Sequence, residues 1–435
     1  MNSITATAVI DDARPPTAAD ARRIIFSSSI GNALEWYDFL IYGYFAGTIG
    51  KLFFPTQNPQ VSLLLSVGSF GVAFLMRPIG AIVLGIYADR QGRKASLSLS
   101  ILLMVLGTFT ITVMPSYDSI GLVAPLLVIL ARLVQGFAVG GEFGSATAFL
   151  TEQDANRRGF FASWQFATQG MAAVTASGIG AVIAASLTQG QIESWGWRLP
   201  FILGLVIGPV GYYIRRYLHE TEEFVQAQKT PAKSTVSEFS SQWGNLLLSV
   251  GIVAQSTVLV YVLQLYIPTY AVKELGLPMA ESFGVVAFNG TVQLLFTPLM
   301  GALSDRIGRI RIMLTTSILV ALSIYPMFSW LQTHPTIGWL LAMQGVSGLF
   351  KAGYSGPMAA LLSELFPTKT RSTGLSVGYS LGVTVFGGFA PFIVTWLIVA
   401  TGDKLAPAYY VLTAAVLSSF SLLVVILMRR RARQN

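Results

Sequence analysis

Gly85-Ile-Tyr-Ala-Asp89-Arg90-Gln-Gly92-Arg93-Lys94 is echoed later in the chain by Gly301-Ala-Leu-Ser-Asp305-Arg306-Ile-Gly308-Arg309. The step from Gly85 to Gly301 and the step from Asp89 to Asp305 are both 216 residues. Each copy follows one apolar segment and precedes another. A charged motif repeated at half the length of a 435-residue chain implies two equivalent halves. Duplicated halves in a membrane protein point to a transporter.

Composition sets the solvent. The chain is 53% hydrophobic and only 11% charged, against roughly 25% charged in soluble proteins. So few charges do not cover a water-facing surface, so lipid is the main solvent. The net charge of +8 suits nucleic acid on its own. The basic residues, however, lie in short loops between apolar runs, which argues against a nucleic-acid partner. There are no cysteines, so disulfides and thiolate metal sites are excluded. The only histidines, His219 and His334, fall at segment ends, and no metal centre is expected. Residues 1–23 are polar, contain Pro15-Pro16 and lack the apolar core of a cleavable signal peptide.

Runs of about 20 apolar residues cross a bilayer as helix. Twelve are readable: roughly 24–50, 61–87, 95–114, 121–151, 159–187, 198–217, 244–272, 281–303, 312–331, 336–362, 372–400 and 405–428. The expected fold is an all-α polytopic membrane protein with two pseudo-symmetric six-helix bundles. A tail over 1–23 precedes the first bundle, 24–217. The polar stretch 218–243 separates it from the second, 244–428, and 429–435 forms a short C-terminal tail. Nearly all Arg and Lys outside the segments fall on one side, among them Arg22, Arg90, Arg157, Arg215, Arg306, Lys369 and Arg429. The other side holds Lys51, Arg198, Lys273 and Lys404. By the positive-inside bias both termini and the central loop are expected to be cytoplasmic; the expected membrane is a bacterial inner membrane. Three cations remain, Arg77, Arg132 and Lys351, and each falls inside an apolar segment.

These motifs resemble the major facilitator superfamily, whose signature is the Gly-x-x-x-Asp-Arg-x-Gly-Arg-Arg loop between segments two and three. Within it the chain is similar to the metabolite:proton symporters. The matching stretches are Gly31-Asn32-Ala-Leu-Glu35-Trp36-Tyr37-Asp38-Phe39, Phe74-Leu-Met-Arg77-Pro78-Ile-Gly80, Arg132-Leu-Val-Gln135-Gly136, Gly140-Gly141-Glu142, Trp195-Gly196-Trp197-Arg198-Leu-Pro200-Phe201, and Glu364-Leu-Phe-Pro367 with Arg371-Ser-Thr-Gly374. The resemblance implies proton-driven uptake of a small hydrophilic metabolite, not an enzyme, with no cofactor beyond the proton gradient. Citrate or another di- or tricarboxylate is the first expectation. A zwitterion such as proline or betaine, or shikimate or another monocarboxylate, is the alternative. The expected partners are the bilayer, the organic anion and H+, with the chain acting as a monomer. The osmosensing relatives carry a long C-terminal coiled coil, and only 429–435 follows segment twelve here. A receptor or channel on the same scaffold is the reading from another class, without the signalling domain a receptor would carry.

An ionisable side chain in hydrocarbon costs at least ~2.5 kcal/mol on insertion scales. The buried charges Glu35, Asp38, Arg77, Arg132, Glu142 and Lys351 are therefore functional candidates. Glu35 and Asp38, three positions apart, are expected on one helix face near the midplane. Proton coupling at Asp38 or Glu35 stands against permanent ion pairing with Arg77 or Arg132. For Arg132 the resemblance implies a tie to proton transfer or to a segment-one carboxylate; a static pair is the alternative. Arg77 and Lys351 suit substrate carboxylates; the alternatives are a bond from Arg77 to the carbonyls of a bent helix, and for Lys351 snorkelling or a pair with an acid elsewhere in the chain. Gln165, Gln169, Tyr261, Gln264, Asn289, Gln293 and Tyr354 could complete the cavity, or simply bond neighbouring helices. Asp89, Arg90, Arg93, Asp305, Arg306 and Arg309, with Glu142, are expected to latch the cytoplasmic face, because topology alone needs neither the aspartates nor the glycines.

Overall fold

The computed structural model describes residues 32–33, 35–91, 93–140, 142–154, 156–216, 242–367 and 371–434. The expected N-terminal tail and all but the last two residues of the central loop lie outside them. Among the described residues there is no strand, and twelve long helical passes follow one another. α1 covers residues 35–44 and continues as Ala46–Phe53; α2 is Pro59–Leu75 continuing as Arg77–Gln91; α3 is Arg93–Val113; α4 is Val123–Val139 continuing as Glu142–Glu152; α5 is Arg158–Ser186; α6 is Arg198–Arg216. α7 runs Trp243–Val260, a π-helical turn Tyr261–Tyr266, and Ile267–Leu275; α8 is Met279–Ile307; α9 is Arg309–Thr333; α10 is Ile337–Leu365. α11 runs Arg371–Val383, a second π turn Thr384–Gly388, and Ala390–Thr401; α12 is Ala406–Gln434.

Among the described residues, seven stretches are long and apolar enough to cross a membrane by themselves: Pro59–Leu84, Arg158–Ser186, Trp243–Leu275, Met279–Ile307, Arg309–Thr333, Thr373–Thr401 and Ala406–Arg431. α10 is as long as α8 but falls short in hydropathy, because it carries Gln344, Ser347, Lys351 and Ser355, all buried. Its polar atoms face protein, which is where a membrane fold tolerates them. The stretch from 429, expected as a tail, continues α12 as helix to Gln434, and Arg429 is tied to Glu364 at 2.8 Å.

Local sequence explains the ends. Asn58 caps α2, accepting from the Gln60 amide, and Pro59 takes the first helical position. Gly308 turns the chain between α8 and α9 at φ 96°, a backbone that only glycine adopts readily. That is the glycine the repeated motif places there.

Glycines also set the packing. A Cβ on Gly136, Gly80 or Gly140 would lie within 2.0 Å of a backbone oxygen of the facing helix, so α2 and α4 touch backbone to backbone. The halves meet where α5 packs on α8 and α10, and where α2 and the second part of α4 pack on α11. Along α5 and α8, Gly159 faces Gly301 and Gly170 faces Gly290. On the α2–α11 seam the Thr384 hydroxyl donates to the Phe74 carbonyl at 2.8 Å, and Gly388 lies against the Phe74 ring.

Candidate functional site: buried charges between the halves

Glu35 and Asp38 lie on one face of α1, as expected, but they reach different partners. Three residues turn a helix by about 300°, leaving the two side chains about 60° apart. That angle is enough to separate them. Glu35 turns to α2, where Arg77 Nη2 lies 3.5 Å from its Oε1. Asp38 turns to α3, where its Oδ2 accepts from the Thr108 hydroxyl at 2.7 Å. Its Oδ1 is buried without a hydrogen-bond partner among the described residues. Gly204 of α6 makes the room: a Cβ there would be 2.5 Å from that oxygen.

Arg132 does not reach a carboxylate directly among the described residues. Its Nη1 donates to Gln135 Oε1 at 2.8 Å, and Gln135 Nε2 donates to Thr108 Oγ1 at 3.0 Å. Thr108 then donates to Asp38. A relay of two neutral groups thus links the α4 arginine to the α1 aspartate. Gly107 clears the path, since a Cβ there would fall 2.5 Å from the Gln135 side chain. The guanidinium itself lies over Tyr42 at 4.4 Å, Phe39 at 4.8 Å and Phe70 at 5.0 Å. Such contacts are each worth about 0.5–2 kcal/mol and replace water around the charge. Arg77 is held the same way, over Phe74 at 4.3 Å and Phe39 at 4.8 Å. Phe39 is therefore shared by both arginines.

In the second half Lys351 is 2% exposed, and its Nζ donates to Gln264 Oε1 at 2.9 Å. It meets no carboxylate among the described residues. Gln264 lies in the π turn of α7, which rotates its amide toward α8 and α10; such turns are frequent at functional sites. Its Nε2 reaches Asn289 Oδ1 at 3.3 Å and Gln293 Oε1 at 3.1 Å. Asn289 donates on to the Gln344 carbonyl and to Ser347, and Gln293 donates across the seam to the Phe166 carbonyl of α5 at 2.7 Å. Lys351, Gln264 and Asn289 thus form one network.

Tyr354 is turned away from it, its hydroxyl donating to the Ile252 carbonyl at 2.8 Å. Gln165 and Gln169 are buried on α5. Neither the Gln165 Oε1 nor the Gln169 amide has a hydrogen-bond partner among the described residues.

Glu35, Arg77 and Gln165 line a cavity of about 10 Å³, room for about one water, closed by Trp36, Phe143 and Tyr379. Phe143 and Tyr379 stack at 3.5 Å across the α4–α11 contact. Trp36, Phe70 and Phe74 pack on Tyr261 of α7 at 5.7, 5.9 and 5.4 Å. An aromatic layer therefore occludes the buried charges in this conformation.

At the basic face Asp305 of the second motif caps α5 of the other half. Its carboxylate accepts from the Gly159 amide at 2.8 Å and the Phe160 amide at 3.0 Å. Arg309 holds Asp305 at 3.3 Å and also pairs with Glu364. Arg306 is exposed. The side chains of Asp89, Arg90, Arg93 and Glu142 lie outside the described residues.

Thr108 and Gln135 are not singled out by sequence as site residues. Gln135 stands in the arginine motif, which is a usable signal. Thr108 has none, because threonine is ordinary in membrane helices.

A twelve-pass helical fold with a duplicated charged loop, and charges buried between its halves, is that of a secondary transporter. The model described as Sugar (and other) transporter matches residues 24–237, and that of the Major Facilitator Superfamily matches residues 279–435. The citrate-proton symporter of Salmonella typhi is 38% identical over 387 residues, covering 88% of this chain and 89% of that protein. The citrate-proton symporter of Klebsiella pneumoniae is 38% identical, covering 92% and 91%. The proline/betaine transporter of Escherichia coli strain K12 is 33% identical, covering 94% and 83%. The chain belongs to the major facilitator superfamily and is a transporter, not an enzyme. Among solved structures, the partially occluded inward-open xylose transporter XylE of E. coli superposes with a TM-score of 0.74 at 16% identity, over 93% of this chain and 97% of that one. That likeness concerns the fold.

Proposed function

We propose that this protein imports citrate, or another di- or tricarboxylate, together with protons by alternating access. The observation that carries the reading is the near full-length match, at 38% identity, to two citrate-proton symporters. The buried charges fit it. Arg77 and Lys351 lie on opposite halves, and closing them around a polycarboxylate would satisfy cations that now have one weak or neutral partner each. Gln165, Gln169, Gln264 and Asn289 supply amides beside them.

Asp38 is the proton carrier in this reading. Its neighbour Thr108 has two acceptors in reach, Asp38 Oδ2 at 2.7 Å and the Met104 carbonyl at 3.1 Å. When Asp38 binds a proton, the hydroxyl turns its hydrogen to Met104 and accepts from the new O–H. Gln135 and Arg132 follow through the relay. The proton gradient is the driving force and no cofactor is required. Glu35, paired with Arg77, couples the substrate-binding arginine to α1.

The basic face is assigned to the cytoplasm of a bacterial inner membrane, with both termini there, on the positive-inside bias. Asp305, Arg306 and Arg309, with their first-half counterparts Asp89, Arg90 and Arg93 and with Glu142, then latch that face while the opposite one is open. The halves 24–217 and 244–428 move as two bodies in the bilayer, in a monomer.

The proline/betaine transporters match over a similar length and favour a zwitterion as the second reading. The test is uptake of labelled citrate, 2-oxoglutarate, shikimate and betaine into proteoliposomes under an imposed proton gradient. Citrate accumulation that survives collapse of the gradient would remove symport, and accumulation of betaine alone would replace the substrate.

A further inference from the structure

The face opposite the basic loops carries few cations, and the structure accounts for each. Arg198 binds three carbonyls, those of Thr112, Ser194 and Met114, at 3.0–3.1 Å. Lys404 donates to the Glu274 carbonyl at 2.6 Å, with the Glu274 carboxylate 3.9 Å away. Both serve the ends of helices. Lys51, from the first half, pairs with Glu193. Lys273, from the second half, is exposed and pairs with no carboxylate among the described residues.

These last two lysines line a single cavity of about 400 Å³ between the halves. Lys273 runs its stem across α1, with Cε 3.8 Å from where a Cβ on Gly47 would stand. Gly47 is one helical turn from Lys51, so the two ammonium groups approach the same side of α1. The floor is Tyr44 and Phe283, whose rings are 5.3 Å apart. Tyr44 is 3% exposed, and its hydroxyl has no hydrogen-bond partner among the described residues. Thr48 and Thr269 add hydroxyls to the walls. Below the floor Gly43 closes on Leu265, and Trp36 on Tyr261. The cavity therefore ends above the buried charges and is separate from them.

We propose that this vestibule is an outer waiting site for an organic polycarboxylate, held between Lys273 and Lys51 above the Tyr44–Phe283 floor. Its lining is net cationic, two lysines against Glu193, and low-dielectric walls focus that charge on an approaching anion. The volume admits a small di- or tricarboxylate with water. Because the cations belong to different halves, an anion between them draws the mouth together and precedes transfer to the inner site. The identity of the anion as transported substrate rests on the citrate reading above; the anion site itself does not.

The chain has no cysteine, so Thr269→Cys places one thiol in the vestibule of the full-length protein. Its modification rate is measured in proteoliposomes with anionic and cationic methanethiosulfonates, with and without citrate. The anionic reagent is expected to react several-fold faster than the cationic one, with citrate slowing it. Adding Lys273→Gln should abolish both effects, and Lys273→Arg should keep them. Equal rates for the two reagents with no protection by citrate would overturn the proposal, whether or not the protein transports. On uptake, Lys273→Gln should raise the KM for citrate about fivefold from this face, flatten its salt dependence and leave the KM from the basic face unchanged. A rise shared by both faces would also count against a separate outer site. Citrate protection with no gradient-driven uptake would sink the symport reading and leave the vestibule standing.

Discussion

Arg132 and Asp38 are joined without touching, through Gln135 and Thr108, at 2.8, 3.0 and 2.7 Å along the path. The relay makes Thr108 the point at which a proton on α1 is felt by a cation on α4. Thr108→Val keeps the shape and removes the hydroxyl. It leaves Gln135 Nε2 and Asp38 Oδ2 without their partner, a cost of about 1–3 kcal/mol for each buried group. Gradient-driven uptake is expected to fall about tenfold or more, with a displaced pH–rate profile, and Thr108→Ser should restore both. An unmoved pH profile in Thr108→Val would show that the relay carries no proton linkage.

Asp38→Asn keeps a carbonyl to accept from Thr108 but removes the titrating group. Uphill citrate uptake driven by the gradient should disappear, while exchange of internal for external citrate continues. Both are read by isotope flux. Full uphill uptake in the variant would take Asp38 out of the coupling.

The helices were legible in sequence because lipid enforces long apolar runs and satisfied backbones. The glycine turn at 308 was legible because a positive φ selects that residue. The site was only partly so. Sequence placed Glu35 and Asp38 on one face, but not the roughly 60° between them that sends each to a different helix. It left Lys351 without a partner because Gln264 stands 87 residues away and turns to it only through a π turn, which carries no single-sequence mark. Gly107 and Gly204 clear space for Gln135 and Asp38, yet in sequence they look like ordinary membrane glycines.

Lys351→Gln retains an amide that can meet Gln264 and removes the charge. The protein should fold and keep its maximal rate at saturating substrate. The KM for citrate is expected to rise about tenfold or more, the loss of one charge-assisted contact of about 1.5–3 kcal/mol. Steady-state uptake against citrate concentration decides it; an unchanged KM would assign Lys351 to packing.

Glu193 gives a pH test outside the membrane. Burial raises its pKa, but the hydrogen bonds from Lys51 and Gln189 and the Lys51 charge outweigh that and leave it below the usual carboxylate value. A carboxylate with a lowered folded-state pKa adds stability above its unfolded pKa of about 4.3 and loses it as pH falls through the folded value. The pair is half in water, so the effect is small and salt-sensitive. Glu193→Gln should melt slightly below the parent at pH 7, and the gap should close on acidification below the carboxylate range. A gap independent of pH would mean that packing, not charge, sets it.

Asp305 is the carboxylate of the second loop motif that bridges the halves, and its two bonds go to the first amides of α5. An anion at a helix N-terminus gains about 0.3–1 kcal/mol, and up to ~2 when partly buried. Asp305→Asn keeps one acceptor and removes the charge, which leaves Arg309 with Glu364 as its carboxylate partner. The expected result is not unfolding but a shift of population toward the state open at the basic face, by about two- to fivefold for a change of 0.5–1 kcal/mol. Because the chain contains no cysteine, a single thiol at Ser163, which abuts Gly301 on the α5–α8 seam, reports that opening by its alkylation rate. Faster alkylation in Asp305→Asn, reversed when the halves are crosslinked on that face, supports the latch. Equal rates with and without the carboxylate would mean that the glycine crossings at 159/301 and 170/290 hold the face closed, and that the repeated aspartate only finishes a turn.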